Sequence, residues 1–141
     1  MAIDVSLEQW PYVFSRWETE QTSSDLDAYI TLMDTVLERR QPYVGVAYIK
    51  KWNRASGAVE KMGKWLKQTD DVTRKYCLAA GLISTSTAFR FTLGAVLLIK
   101  PMPYPYNVFG TFEEAVRFVQ KEARQRGLTL PDAQRPWTAI P

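Results

Sequence analysis

The sequence contains no histidine and only one cysteine, Cys77, among its 141 residues. Histidine is the commonest general base and metal ligand, so its absence excludes Ser-His and Cys-His nucleophile pairs. A single thiol excludes a disulfide within the chain and a CxxC zinc or redox site. No GxGxxG, GxxxxGK[ST], HExxH or GxSxG motif is present. We therefore expect a protein that is not an enzyme and that holds neither a metal nor a cofactor.

Long hydrophobic runs and a strong net charge are also lacking. The most apolar stretch, residues 88–99, contains Arg90 and is shorter than the roughly 20 residues of a membrane-spanning helix. A net charge of +3, from 18 basic and 15 acidic residues, is small for a nucleic-acid-binding protein. The first residues lack the layout of a signal peptide. These absences predict a cytoplasmic protein with no transmembrane segment and no nucleic-acid partner.

Apolar residues make up 46% of the sequence, and their arrangement predicts both strands and helices. Tyr43–Ile49 and residues 76–83 are nearly continuous apolar runs, as in central strands covered on both faces. Residues 2–5 and 10–17 are predicted to be two antiparallel strands because a hairpin-length connection joins them. Helices are predicted where apolar residues recur at steps of three and four, as they do over residues 26–37.

The second predicted helix, residues 55–68, has an apolar face and a basic face. Met62, Trp65 and Leu66 are expected to be buried together with a tyrosine of the first helix, Tyr29. Steps of three place its lysines on the opposite side, so Lys61 and Lys64 are expected to be exposed.

The alternation of these elements predicts the fold class. The order is β-β-α-β-α-β-α-β-α, with about five strands and about four helices. Strands joined by helices form a mostly parallel sheet, and the initial hairpin makes the sheet mixed. Residues 1–126 are predicted to form this single α/β domain. Residues 127–141 contain three prolines and show no periodicity, so they are predicted to form an extended C-terminal tail.

Loops at the carboxyl ends of parallel strands are where α/β proteins meet ligands and partners. The loop after Tyr43–Ile49 contains three cations and enters a helix, and either solvent or an anionic partner would stabilise them there. Residues 84–87 supply four hydroxyls at the next helix start, where helix capping is the competing interpretation. The candidate partner-binding or anion-binding residues are Asn53, Arg54, Ser56, Gly57, Ser84 and Thr85.

Three segments together resemble the STAS domains, the SpoIIAA-like (anti-sigma-factor antagonist-like) family. They are Tyr43–Ile49 leading to the Ala-Ser-Gly of residues 55–57, residues 76–83 with the helix that follows, and residues 109–115 opening the last helix. The likeness covers residues 1–126 and is greatest to the uncharacterised bacterial single-domain SpoIIAA-like proteins. Signalling members of this family carry a phosphorylatable serine in a D-S-S-G-type motif, at the helix start that corresponds to residues 55–57 of this sequence. Ser56 and Gly57 match its last two residues, with Arg54 in place of the aspartate, so the resemblance implies Ser56 as a candidate phosphosite.

The resemblance implies a non-enzymatic regulatory or protein-interaction module. A protein partner would bind the loops at the carboxyl ends of the parallel strands. Relatives with lipid-binding SEC14-type folds imply an alternative, a carrier or sensor of a small apolar or anionic ligand. Such a carrier needs a cavity of roughly several hundred Å³. The remaining alternative is an enzyme that uses only carboxylate, lysine and tyrosine side chains.

Overall fold

The computed structural model of the protein describes residues 2–51, 58–91, 93 and 102–141, and within these residues five strands form one sheet. The strands are β1 (Ile3–Ser6), β2 (Tyr12–Trp17), β3 (Tyr43–Ile49), β4 (Cys77–Ile83) and β5 (Tyr106–Phe109). The helices are α1 (Ser23–Glu38), α2 (Ala58–Gln68), α3 (Asp70–Tyr76), α4, described over residues 87–91, and α5 (Phe112–Gln125).

The strands lie in the order β1-β2-β3-β4-β5, so each strand lies beside its neighbours in the chain. β1 is antiparallel to β2, and β2, β3, β4 and β5 are parallel. This confirms the predicted mixed and mostly parallel sheet, with the two apolar runs adjacent and parallel inside it. β4 begins one residue later than predicted, because Tyr76 is the last residue of α3.

Both faces of the sheet are covered, which explains why all seven residues of β4 are buried. One face packs against α1, α2 and α3, and its core includes Val13, Tyr43 and Cys77. The other packs against α5 and residues 128–141, and its core includes Phe14 and Val46. We refer to these as the α1 face and the α5 face.

Side chains cap the starts of α1 and α5. Thr22 and Asp25 form a reciprocal capping box at the start of α1. At the start of α5, the Thr111 hydroxyl accepts a hydrogen bond from the Glu114 backbone N–H at 3.3 Å. Gly127 follows α5 with a φ of 88°, a left-handed conformation that favours glycine and ends the helix.

Helix α2 is less deeply buried than predicted. Met62, Trp65 and Leu66, which were expected to be buried, are half-buried, as is Tyr29. The reason is that α2 packs on α1 and α3, at the outside of the α1 face.

Polar contacts of α2 also lie at this boundary with α1. The Trp65 indole N–H donates to Asp34 Oδ1 at 2.8 Å. Lys64 is exposed as predicted, but Lys61 is half-buried, because its Nζ lies 2.7 Å from both Ser23 Oγ and Asp27 Oδ1. The prediction of an exposed Lys61 was therefore wrong.

Residues 128–141 contain no helix or strand, yet they contribute to the core of the α5 face. Ile140 is buried, and Leu128, Leu130 and Trp137 pack against the same cluster. The Phe112 backbone N–H donates to the Pro141 carbonyl at 3.1 Å, so the end of this segment satisfies a free N–H at the start of α5. The segment is irregular, but it covers part of the sheet.

Two predicted helices are described in part. The helix predicted from residue 88 to residue 99 is helical over residues 87–91, and residues 94–99 lie outside the described residues. The helix predicted from residue 55 is described from Ala58 onward. No helix in the described ranges is long and apolar enough to span a membrane.

Candidate functional site

Four strands end at the same edge of the sheet because β2, β3, β4 and β5 are parallel. Their following loops begin at residues 18–21, 50–51, 84–86 and 110–111, and we call these described residues the carboxyl edge. Sequence reasoning named the loops after β3 and β4 and missed the loop after β2. The strand-helix-strand order β2-α1-β3 was the available signal, because such a unit makes β2 parallel to β3.

The structure describes two of the six candidate residues, Ser84 and Thr85. Ser84 is 1% exposed, and its backbone N–H donates to the Phe109 carbonyl at 2.9 Å. Its Oγ accepts from the Ser86 N–H at 3.2 Å. Thr85 is exposed. Ser84 therefore links strand and turn, whereas Thr85 presents its side chain to solvent.

The other four candidates, and the candidate phosphosite among them, lie outside the described residues. They are Asn53, Arg54, Ser56 and Gly57. The described residues that flank them, Lys51 and Ala58, place this loop between the end of β3 and the start of α2.

Helix α4 begins at the carboxyl edge and presents an exposed aromatic side chain. Ser86 caps it, since its Oγ accepts from the Phe89 N–H at 3.1 Å. Arg90 donates a guanidinium N–H to the Val108 carbonyl at 3.1 Å, which ties α4 to β5. Phe91 is 80% exposed, and among the described residues it is the large hydrophobic side chain that solvent reaches most.

Two lysines at the end of β3 add positive charge to this edge. The Lys50 and Lys51 backbone N–H groups both donate to the Trp17 carbonyl, at 2.9 and 3.1 Å. Buried Gln21 donates to the Lys51 carbonyl at 2.9 Å, so the loops after β2 and β3 hold each other in place. Both lysines are exposed, and neither has an ion-pair partner among the described residues.

The single thiol lies away from this edge, at the start of β4. Burial raises the pKa of Cys77 to about 12, so the thiol stays protonated at neutral pH. Burial also raises the pKa of its neighbours, that of Tyr29 to about 12 and those of Tyr43 and Tyr104 above their usual value. A protonated, buried thiol is a core group and a poor nucleophile.

Two hollows lie elsewhere on the molecule. One, of about 520 Å³, runs along β1 between α1 and the C-terminal segment. The other, of about 740 Å³, lies between α5 and residues 132–135. No group of three or more Cys, Asp or Glu side chains suited to a metal ion occurs within the described ranges. Neither hollow includes the candidate residues Ser84 or Thr85.

Comparison with known proteins supports the fold. A solved structure of an uncharacterized protein from the DUF3478 family of Shewanella loihica PV-4, which has a SpoIIAA-like fold, matches with a TM-score of 0.65. The two sequences are 15% identical, and the match covers 84% of this chain and 92% of that one. No family model and no curated protein matches the sequence. The chain therefore has a SpoIIAA-like fold, as the resemblance predicted.

Proposed function

We propose that the protein is a non-enzymatic interaction module that binds a protein partner at the carboxyl edge. The observation that carries this proposal is that Phe91 of α4 is 80% exposed, and that Lys50, Lys51 and Thr85, in the loops after β3 and β4, are exposed as well. These residues follow β3 and β4, which are adjacent parallel strands, so the segments that carry them start at the same edge of the sheet.

The composition of this surface defines a matching partner. Burial of a phenyl side chain contributes about 1.5–3 kcal/mol to association. The two lysines contribute less to affinity, because exposed ion pairs are worth roughly 0.2–1 kcal/mol, but they attract an acidic partner and speed association. We expect a partner with an apolar pocket for Phe91 and carboxylates around it.

Phosphorylation of Ser56 stays a prediction. A phosphate there would add negative charge to the loop that follows Lys50 and Lys51 in the sequence, which would reduce the attraction of this loop for an acidic partner. A phosphopeptide that contains Ser56, recovered from protein made in its native host, is the result that would support this form of regulation.

A photo-crosslinking amino acid at Thr85 tests the proposed surface. We expect it to capture a partner in the native host, whereas the same amino acid at Arg124, an exposed position on α5, captures none. Phe91→Ser with Lys50→Glu and Lys51→Glu should abolish capture at Thr85 while the protein stays folded by circular dichroism. Equal capture at both positions, or capture that survives the triple change, would contradict the proposal.

The carrier of a small apolar or anionic ligand stays an alternative prediction. The hollow along β1 has a suitable volume, about 520 Å³, but Asp4, Glu8 and Asp25 lie on its wall. Carboxylates repel an anion and are costly beside a lipid chain. Native mass spectrometry would support the carrier if it detected a stoichiometric lipid or anion on the purified protein.

A further inference from the structure

The strand β1 forms one edge of the sheet and leaves backbone groups unpaired. The Glu18 N–H donates to the Ala2 carbonyl at 3.1 Å, which makes this residue pair a hydrogen-bonded one. Hydrogen-bonded and non-bonded pairs alternate along an antiparallel ladder. The N–H and C=O groups of Ile3 and Val5 therefore point away from β2, and no described residue bonds to them.

The opposite edge of the sheet, β5, is protected by side chains. The Val108 N–H donates to Asn107 Oδ1 at 2.8 Å, and the Val108 carbonyl accepts from Arg90 at 3.1 Å. Such protection keeps an exposed strand from pairing with other chains. Nothing equivalent covers Ile3 or Val5 among the described residues.

A groove runs along the unpaired side of β1. Its floor is formed by six consecutive residues, Ile3 to Glu8, and its volume is about 520 Å³. One wall is α1, with Tyr29 and Leu32, and the other includes Trp137 of the C-terminal segment. An added strand would lie about 4.8 Å from β1, between these walls. The groove thus has a row of free backbone groups and apolar walls on both sides.

The charge of the groove indicates which chain fits it. Asp4 is paired with Arg16 at 2.7 Å, but Glu8 is exposed and has no ion-pair partner among the described residues. The Thr22 backbone N–H and hydroxyl donate to Asp25, which lowers the pKa of that carboxyl. Asp4, Glu8 and Asp25 line the groove, and its described lining contains no lysine or arginine, so the groove favours a basic ligand.

We propose that this groove binds an extended, basic segment of a partner protein as an additional strand beside β1. The backbone groups of Ile3 and Val5 hydrogen-bond to the segment, its apolar side chains contact the walls, and its lysines or arginines face Glu8 and Asp25. A second copy of this chain fits less well, because its own β1 would bring Asp4 and Glu8 near the same carboxylates, and like charges on paired strands repel. This site is separate from the carboxyl edge and does not depend on the proposed function.

Fluorescent capped peptides test the ligand side of this proposal. The probe is the hexapeptide Lys-Val-Arg-Val-Lys-Val, and its binding is followed by fluorescence anisotropy. We expect saturable binding that weakens roughly tenfold when alternate backbone nitrogens are methylated, because each methylated nitrogen can no longer donate a hydrogen bond to β1. A peptide with glutamate in place of each basic residue should not bind. Absence of binding by the basic probe, or equal binding of the methylated one, would overturn the proposal.

Variants of β1 test the protein side. Val5→Pro removes an outward N–H without removing a bond to β2, so we expect roughly tenfold weaker binding with the fold kept. Glu8→Gln should weaken binding by about two- to fivefold and reduce its salt dependence. The control Asp71→Asn, at an exposed carboxylate of α3 outside the groove, should change nothing.

Two outcomes of the variant series would contradict the strand-addition model. The first is unchanged affinity of a folded Val5→Pro protein. The second is concentration-dependent dimerisation, seen by analytical ultracentrifugation, that Val5→Pro abolishes, since a second copy of the chain would then be the occupant. If Val5→Pro unfolds the protein, the methylated peptide tests the same hydrogen bonds with the unchanged chain.

Discussion

Among the described residues, α1, α2 and α3 cover the α1 face of the sheet, whereas α5 and an irregular segment cover the α5 face. The irregular segment reaches the core of the sheet at Ile140, as α5 does at Val119. Ile140 within it is 5% exposed and Val119 of α5 is fully buried, while Trp65 and Leu66 of α2 are only half-buried. Close packing on this sheet therefore depends on where a segment lies and not on whether it is helical.

The irregular segment, residues 128–141, needs hydrogen-bond partners from side chains, which a helix does not need. Its backbone N–H and C=O groups do not form the regular hydrogen bonds of a helix or a strand. Side chains must therefore supply hydrogen-bond partners for them. The Gln9 side chain exchanges two hydrogen bonds with the Gln134 backbone, at 2.8 and 2.9 Å. The Tyr12 hydroxyl donates to the Pro131 carbonyl, and Arg135 donates to the Ile140 carbonyl at 3.1 Å. The α5 face is thus held by side chains from distant parts of the sequence.

Removal of one buried side chain from the segment is the strongest test of this comparison. We expect Ile140→Ala to lower the free energy of unfolding by about 2–5 kcal/mol, because it empties a closely packed site. Leu66→Ala, at a half-buried position on the α1 face, is the matched variant and should cost less. Denaturant unfolding measures both. If Leu66→Ala were the more costly change, the C-terminal segment would be a peripheral element.

Glycine-to-alanine changes compare the two faces at the level of the strands. A Cβ at Gly81 would lie 3.0 Å from the Cβ and the carbonyl oxygen of Ala115 in α5, so Gly81→Ala should destabilise the protein by about 1–3 kcal/mol. A Cβ at Gly45 would lie 3.9 Å from the Ala80 Cβ, an ordinary contact. Gly45→Ala should be neutral or should stabilise by up to about 1 kcal/mol, because it restricts the unfolded chain. If Gly81→Ala and Gly45→Ala lowered the stability equally in thermal unfolding, β4 and α5 would be able to move apart easily.

The regular parts of this molecule could be predicted because their periodicity is local. The apolar run of β3 and the steps of three and four in α1 each fix an element within a few residues. The packing of Leu128, Trp137 and Ile140 against the core could not be predicted, because their spacing follows neither period and their partners lie far away in the sequence. For α2, periodicity identified the apolar face correctly but carried no information on how far it lies from the sheet.

The candidate site, too, could be predicted only in part. The rule that parallel strands end together predicted the placement of the loop at Thr85. It could not show that neighbouring Ser84 turns inward, because consecutive hydroxyl residues look alike in a sequence. The groove beside β1 was beyond such reasoning, since Glu8, Asp25 and Trp137 meet only in the folded chain.

The buried thiol of the α1 face gives the smallest expected effect, and it depends on pH. Cys77 ionises near its usual pKa of 9.0 in the unfolded chain, whereas burial raises its pKa in the folded protein to about 12. Between these values the unfolded chain releases a proton that the folded protein retains, so stability is complete below pH 9 and falls as the pH rises. The loss from this group is roughly 1.4 kcal/mol by pH 10.

Comparison with Cys77→Ala isolates that contribution. Urea unfolding between pH 7 and pH 11 should show the free energy of the unchanged protein falling faster than that of the variant above pH 9. Removal of the thiol changes the free energy of unfolding by the same amount at every pH. The difference in slope between the two proteins therefore reports the ionisation of Cys77 alone. Tyr29 and Tyr43 also have raised pKa values, so both proteins should lose further stability at higher pH, where tyrosines of the unfolded chain ionise. Parallel curves from pH 8 to pH 11 would mean that the Cys77 thiol is open to solvent, and the α1 face would then be the more loosely packed of the two.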